Sequence, residues 1–96
     1  GAVTSKELAT MATGTQTVDV SDRPQQHYVN NGAHALAPAA AHGACYVDIT
    51  NGASAGAIST VAFTTTVGQF TTTPGHKFRC GVSVGPAGSL LQIQPL

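Results

Sequence analysis

The chain has 96 residues and only 8% charged side chains, against about 25% in an ordinary soluble domain, and its four Lys/Arg balance its four Asp/Glu. No Lys/Arg cluster follows a phosphate backbone, and no apolar run approaches the roughly 20 residues that span a bilayer, so neither nucleic acid nor membrane is an expected partner. The wealth of Val, Ile and Thr argues against disorder, and so little surface charge argues for an assembly whose copies cover one another.

Residues 1–14 read as an N-terminal arm. SKELATM offers one or two turns of helix with Ser5 as N-cap, limited by Gly14 and the threonines. The opening GAVTSKELATMATG lacks the basic region and apolar stretch of a signal peptide. From residue 15 the period becomes two. TQTVDV sets Val18 and Val20 on one face and Asp19 on the other, a short strand. SDRPQQ is a link rich in turn residues. HYVNNGAHALAP gives two extended pieces around Asn31-Gly32, a hairpin signal. AAAHGA, between Pro38 and Gly43, is too short for a stable helix.

In CYVDIT, Cys45, Val47 and Ile49 face one way, with Tyr46, Asp48 and Thr50 opposite. NGASAGA is a loop, and ISTVAFTT a strand. FTTT occurs twice, at 63–66 and 70–73, each run followed by a glycine two positions on. The Phe63–Phe70 offset is odd, so one straight strand would split the two rings between faces; a reversal at Gly68 lets both face inward across a hairpin. Pro74-Gly75 fits the centre of a type II turn. HKFRCGVSV turns Phe78, Cys80, Val82 and Val84 inward, GPAGS reverses the chain, and SLLQIQPL turns Leu91 and Ile93 inward opposite Gln92 and Gln94. Seven or eight short strands with turns every 8–12 or so residues predict an all-β domain over 15–96, an antiparallel β-sandwich or jelly-roll-like barrel with an extended N-terminal arm.

The chemical motifs are few. GASAG at 52–56 matches Gly-x-Ser-x-Gly around Ser54, but a β-branched strand follows where a helix is required, and no acid occurs after Asp48. His34, His42 and Cys45 fall short of the four ligands of a structural zinc site, and His42-x-x-Cys45 has no matching pair. Cys45 and Cys80 both take inward positions, where a disulfide and two buried free thiols are both open. The threonine runs are too short and interrupted for a flat ice-ordering array. No catalytic site, metal or cofactor is expected.

From His34-Ala35-Leu36-Ala37-Pro38, through Cys45-Tyr46-Val47-Asp48-Ile49-Thr50-Asn51 and Gly52-Ala53-Ser54-Ala55-Gly56, to Gly75-His76-Lys77-Phe78 and Leu90-Leu91-Gln92-Ile93, the succession of strand, Ala/Gly loop, Thr-rich strand, Gly turn and strand resembles small β-domains of tailed-bacteriophage virion proteins. The resemblance covers roughly residues 28–96. It implies a non-enzymatic structural role in the virion, as a capsid decoration or a tail-fibre or baseplate part, commonly trimeric. For a chain this small the expected form is a decoration protein that binds the head exterior as a homo-oligomer, with itself and the major capsid protein as partners. Val3, Leu8 and Met11 of the arm would order on the capsid. A tail-fibre, collar or spike component, or a carbohydrate-binding module, is the alternative; Tyr28 and Tyr46 are the aromatics available to a receptor site.

Overall fold

A computed structural model describes residues 4–96, and all of their regular structure is β. In chain order the strands are β1 (Lys6–Glu7), β2 (Thr15–Val18), β3 (Gln25–Asn30), β4 (His34–Pro38), β5 (Gly43–Asn51), β6 (Ile58–Thr60), β7 (Thr65–Val67), β8 (Lys77–Gly85) and β9 (Gly88–Pro95). A six-stranded sheet runs β1-β3-β5-β8-β9-β7, and a three-stranded sheet runs β2-β4-β6.

The pairing departs from the expected antiparallel sandwich or jelly roll. Strands β1, β3 and β5 are parallel, as are β2, β4 and β6. The chain alternates between the two sheets and lays each circuit in register on the one before, as a short β-solenoid of three coils. Lys6 pairs with Gln26 and Gln26 with Val47, spacings of 20 and 21 residues. Only the C-terminal part is antiparallel, with β8 pairing β5 and β9 pairing β8. Inward–outward alternation is the same for parallel and antiparallel strands, so the pattern marks the buried face without naming the neighbour.

That difference explains the local corrections. Residues 6–7 form a strand in place of a helical turn, because β3 offers a ready edge: the Leu8 N–H donates to the His27 carbonyl (2.8 Å) and the Met11 N–H to that of Val29 (3.0 Å). The segment expected as an extended arm is, over the described residues, the first coil, and Leu8 and Met11 pack against the core. Asn31-Gly32 makes a corner between sheets, since β3 and β4 belong to different ones. The strand expected over 58–65 ends at Thr60. The first FTTT run leads into β7, which pairs parallel with β9, so the two runs form no hairpin, although Phe63 and Phe70 both pack on the core. Phe70 meets Phe78 edge-on, with centroids 5.3 Å apart. The turn at Pro74-Gly75 has the expected form, with Gly75 at φ +85° and the His76 N–H on the Thr73 carbonyl (3.2 Å).

The core lies between the sheets in cross-strand rows. Tyr28, Ile49 and Phe78 form one, Val47, Cys80 and Ile93 a second, and Cys45, Val82 and Leu91 a third; Val18 and Leu36 face them from the smaller sheet, and Val20, just beyond β2, completes the buried cluster. Buried polar side chains fasten the corners. Gln26 donates to the carbonyls of Asp19 and Arg23 (2.9 Å each), and Asn51 to those of Thr71 (2.8 Å) and Thr73 (3.1 Å). Among the described residues no buried side-chain nitrogen or oxygen lacks a partner, as a closed interior requires.

Candidate functional site

The outward face of the six-stranded sheet gathers chemistry that is scattered in sequence. Register aligns Gln25, Tyr46, Gly81, Gln92 and Val67 in one row across β3, β5, β8, β9 and β7. The adjacent row on that face is Glu7, His27, Asp48, Arg79 and Gln94. The side-chain period of two turns these residues out while their neighbours in sequence fill the core.

Gly81 leaves a gap in the first row. A Cβ placed there would meet Tyr46 Cε1 at 3.8 Å and Gln92 Oε1 at 3.7 Å, so the tyrosine ring and the amide flank a strip of backbone that carries no side chain. Tyr46 is 52% exposed. Two hollows adjoin it, of about 310 Å³ on the Gln25 side and about 450 Å³ on the Val67 and Leu96 side, and both are lined by Tyr46, Gly81 and Gln92.

In the second row Arg79 grips Asp48 with two parallel bonds, Nε to Oδ1 (2.8 Å) and Nη2 to Oδ2 (2.9 Å). These bonds hold the Asp48 carboxyl below its ordinary range, against a smaller opposing effect of burial. The pair's stability is present above the ordinary carboxylate pKa and is lost as pH falls through the lowered one. Both groups are solvated, so the pair adds little to stability. Its larger effect is to fix two planar groups and cancel their charges.

The other residues singled out by sequence are dispersed. Val3 lies outside the described residues. Tyr28 is buried, and its O–H bonds His34 Nε2 (2.9 Å) while His34 Nδ1 faces the Gly32 carbonyl (2.9 Å). A carbonyl only accepts, so Nδ1 carries the proton, Nε2 accepts from Tyr28, and neither nitrogen is free for a metal. Among the described residues no group of three or more His, Cys, Asp or Glu is placed to hold a metal ion. Ser54 is exposed on a loop, with its backbone N–H on Asn31 Oδ1 (3.0 Å). Among the described residues no helix is long and apolar enough to cross a membrane.

Cys45 pairs with Val82 and Cys80 with Val47, so the two cysteines are diagonal neighbours. That geometry sets them about 7–8 Å apart, beyond the usual reach of a disulfide, and both are free thiols. Burial, assisted by the Asp19 charge, pushes the Cys45 thiol up to about 11. Burial, assisted by Asp48, pushes Cys80 up to about 12. The folded state therefore holds both protons more tightly than the unfolded chain. The thiols' contribution to stability should be constant below their ordinary pKa of 9.0 and fall as pH rises from there through the folded values. At pH 8 a disulfide probe such as Ellman's reagent should leave both thiols untouched in native protein and titrate both in denaturant; rapid labelling of native protein would contradict the placement.

Sequence reasoning had Tyr46 but missed Gly81, Gln25 and Gln92. An outward Gly or Gln gains meaning only from its cross-strand neighbours, and those depend on the register. Comparisons of the chain with family models, curated proteins and solved structures found no match.

Proposed function

We propose that this chain is a non-enzymatic structural domain of a tailed-bacteriophage virion, a small decoration protein that binds the head exterior as a homo-oligomer, in the trimeric form common among the proteins it resembles. The observation that carries this reading is the outer face of the smaller sheet. Register places Thr15, Ala35 and Ser59 in one row and Thr17 and Ala37 in another, short side chains without a formal charge. A surface of short, uncharged side chains packs against a copy of itself or a capsid subunit without desolvating an ion. Individually weak contacts of this sort gain strength through repetition over a shell.

The packing of Leu8 and Met11 modifies how attachment works. Both hold the first coil to the body, so the capsid contact falls to the outer surface of that coil. A tail-fibre, collar or spike position is the second reading, favoured by the recessed face around Tyr46.

The test is the copy number in purified particles, by quantitative mass spectrometry against the major capsid protein. A number comparable with the capsid subunits is expected. A small fraction of it would move the protein to the tail, and absence from particles would overturn the virion reading.

A further inference from the structure

We propose that the strip over Gly81 is a binding site for a neutral glycan, with a sugar ring stacked against Tyr46 and its hydroxyls held by the amides of Gln25 and Gln92. Three observations converge. The first is shape: the missing side chain at Gly81 leaves a trough of backbone with an aromatic ring on one side, continued at either end by the hollows of about 310 and 450 Å³. A half-exposed tyrosine beside such a trough presents an apolar face to the C–H side of a sugar and a hydroxyl to its rim.

The second is the polar chemistry. Gln25, Ser83, Gln92 and Gln94 line the hollows. Each amide offers both donors and an acceptor, and a hydroxyl does the same, which suits ligand hydroxyl groups that also do both. The third is charge. The charged side chain lining either hollow is Arg79, and Asp48 already neutralises it through two hydrogen bonds. A phosphate or carboxylate would have to break that pair, whereas a neutral polyol can bond to its outer edges. From Gln25 to Gln92 the row crosses three strand spacings, about 14 Å, room for an oligosaccharide of about two or three residues.

This inference does not rest on the virion reading, because it is tested on the purified chain. The experiment is an NMR titration of ¹⁵N-labelled protein with maltohexaose, cellohexaose and chitohexaose, each to ~10 mM. At least one should shift the backbone signals of Tyr46, Gly81 and Gln92, with a Kd on the order of 1 mM. Tyr46→Ala should weaken the response about tenfold or more, and so should Gly81→Val, which fills the trough with a side chain that strands accept. The spectra themselves report whether each variant is folded, and Tyr46→Phe should keep most of the response. Three outcomes would each overturn the proposal: no shifts with any of the three sugars, shifts that persist in both folded variants, or shifts at these residues that follow protein concentration alone. The last would identify the face as a self-contact.

Discussion

Asn30→Ala should destabilise the protein by about 4 kcal/mol, most of the margin of a small domain. Asn30 has no exposed surface, and its side chain makes four hydrogen bonds. Nδ2 donates to the Gly56 carbonyl (2.8 Å) and to Asn51 Oδ1 (3.2 Å), and Oδ1 accepts from the N–H groups of Gly56 (3.2 Å) and Gly32 (3.3 Å). Alanine would orphan two backbone N–H groups, a carbonyl and the Asn51 Oδ1 in a corner that the second and third coils share. Each buried group left without a partner costs about 1–3 kcal/mol, and some would recover a bond to water that enters. Asn51 extends the chain of amides to Thr71 and Thr73, so the change also loosens the loop before β8. The measurement is the urea midpoint, with Asn31→Ala as the comparison. Asn31 Oδ1 also accepts a backbone N–H, from Ser54, but at an exposed site, and that variant should lose less than about 1 kcal/mol. Equal losses in the two variants would mean that burial of the Asn30 network contributes nothing of its own.

Asn30 also marks where the sequence stopped being informative. The strands from 43 to 51 and 77 to 95 were legible because each pairs strict alternation with a distinct turn. Cys45, Val47, Ile49, Phe78, Cys80, Val82, Leu91 and Ile93 are all buried, as their spacing predicts. Coiling left a fainter trace. Asn-Gly-Ala occurs at 31–33 and again at 51–53, 20 residues apart, close to the coil spacing in the larger sheet. Yet the structure pairs Asn30, not Asn31, with Asn51. The letters thus repeat one residue out of step with the ladder. A dipeptide that favours hairpins and a solenoid corner draw on the same residues, since both need a sharp turn with its backbone groups satisfied. The Tyr46 face was less legible still. Tyr46 stood out as an aromatic in an outward position, but Gly81 carries no signal of its own, and only register sets it beside Tyr46 and Gln92.

Gly56→Ala should cost at least about 3 kcal/mol, through contact between backbones rather than loss of a bond. Stacked coils advance about 4.8 Å per turn, so a corner whose Cβ points along the stack drives it into the next coil. At Gly56 that Cβ would lie on the backbone of the coil before it, against the Ala33 nitrogen, 2.5 Å from the Gly32 carbonyl carbon and 2.7 Å from Ala33 Cα. The same holds one coil earlier, where a Cβ on Gly32 would sit 2.5 Å from the Ala12 oxygen and 2.8 Å from its Cα. Backbone has no rotamer with which to yield, so the corners must separate. Separation would stretch the Asn30 bonds to Gly56 and Gly32, and the two corner devices should therefore fail together. A double variant with Asn30→Ala should lose less than the sum of the single losses, because the first change already releases the corner. Gly85→Ala is the control: a Cβ there meets nothing within 4 Å, and the change should stay within about 0.5 kcal/mol. Thermal or urea unfolding of the four variants decides the matter. A Gly56→Ala protein as stable as wild type would mean that the corners relax independently, and that strand pairing alone holds the coils at their spacing. A full loss would place the close corners beside the ladder hydrogen bonds as the cause of the register that sets Gln25 next to Tyr46.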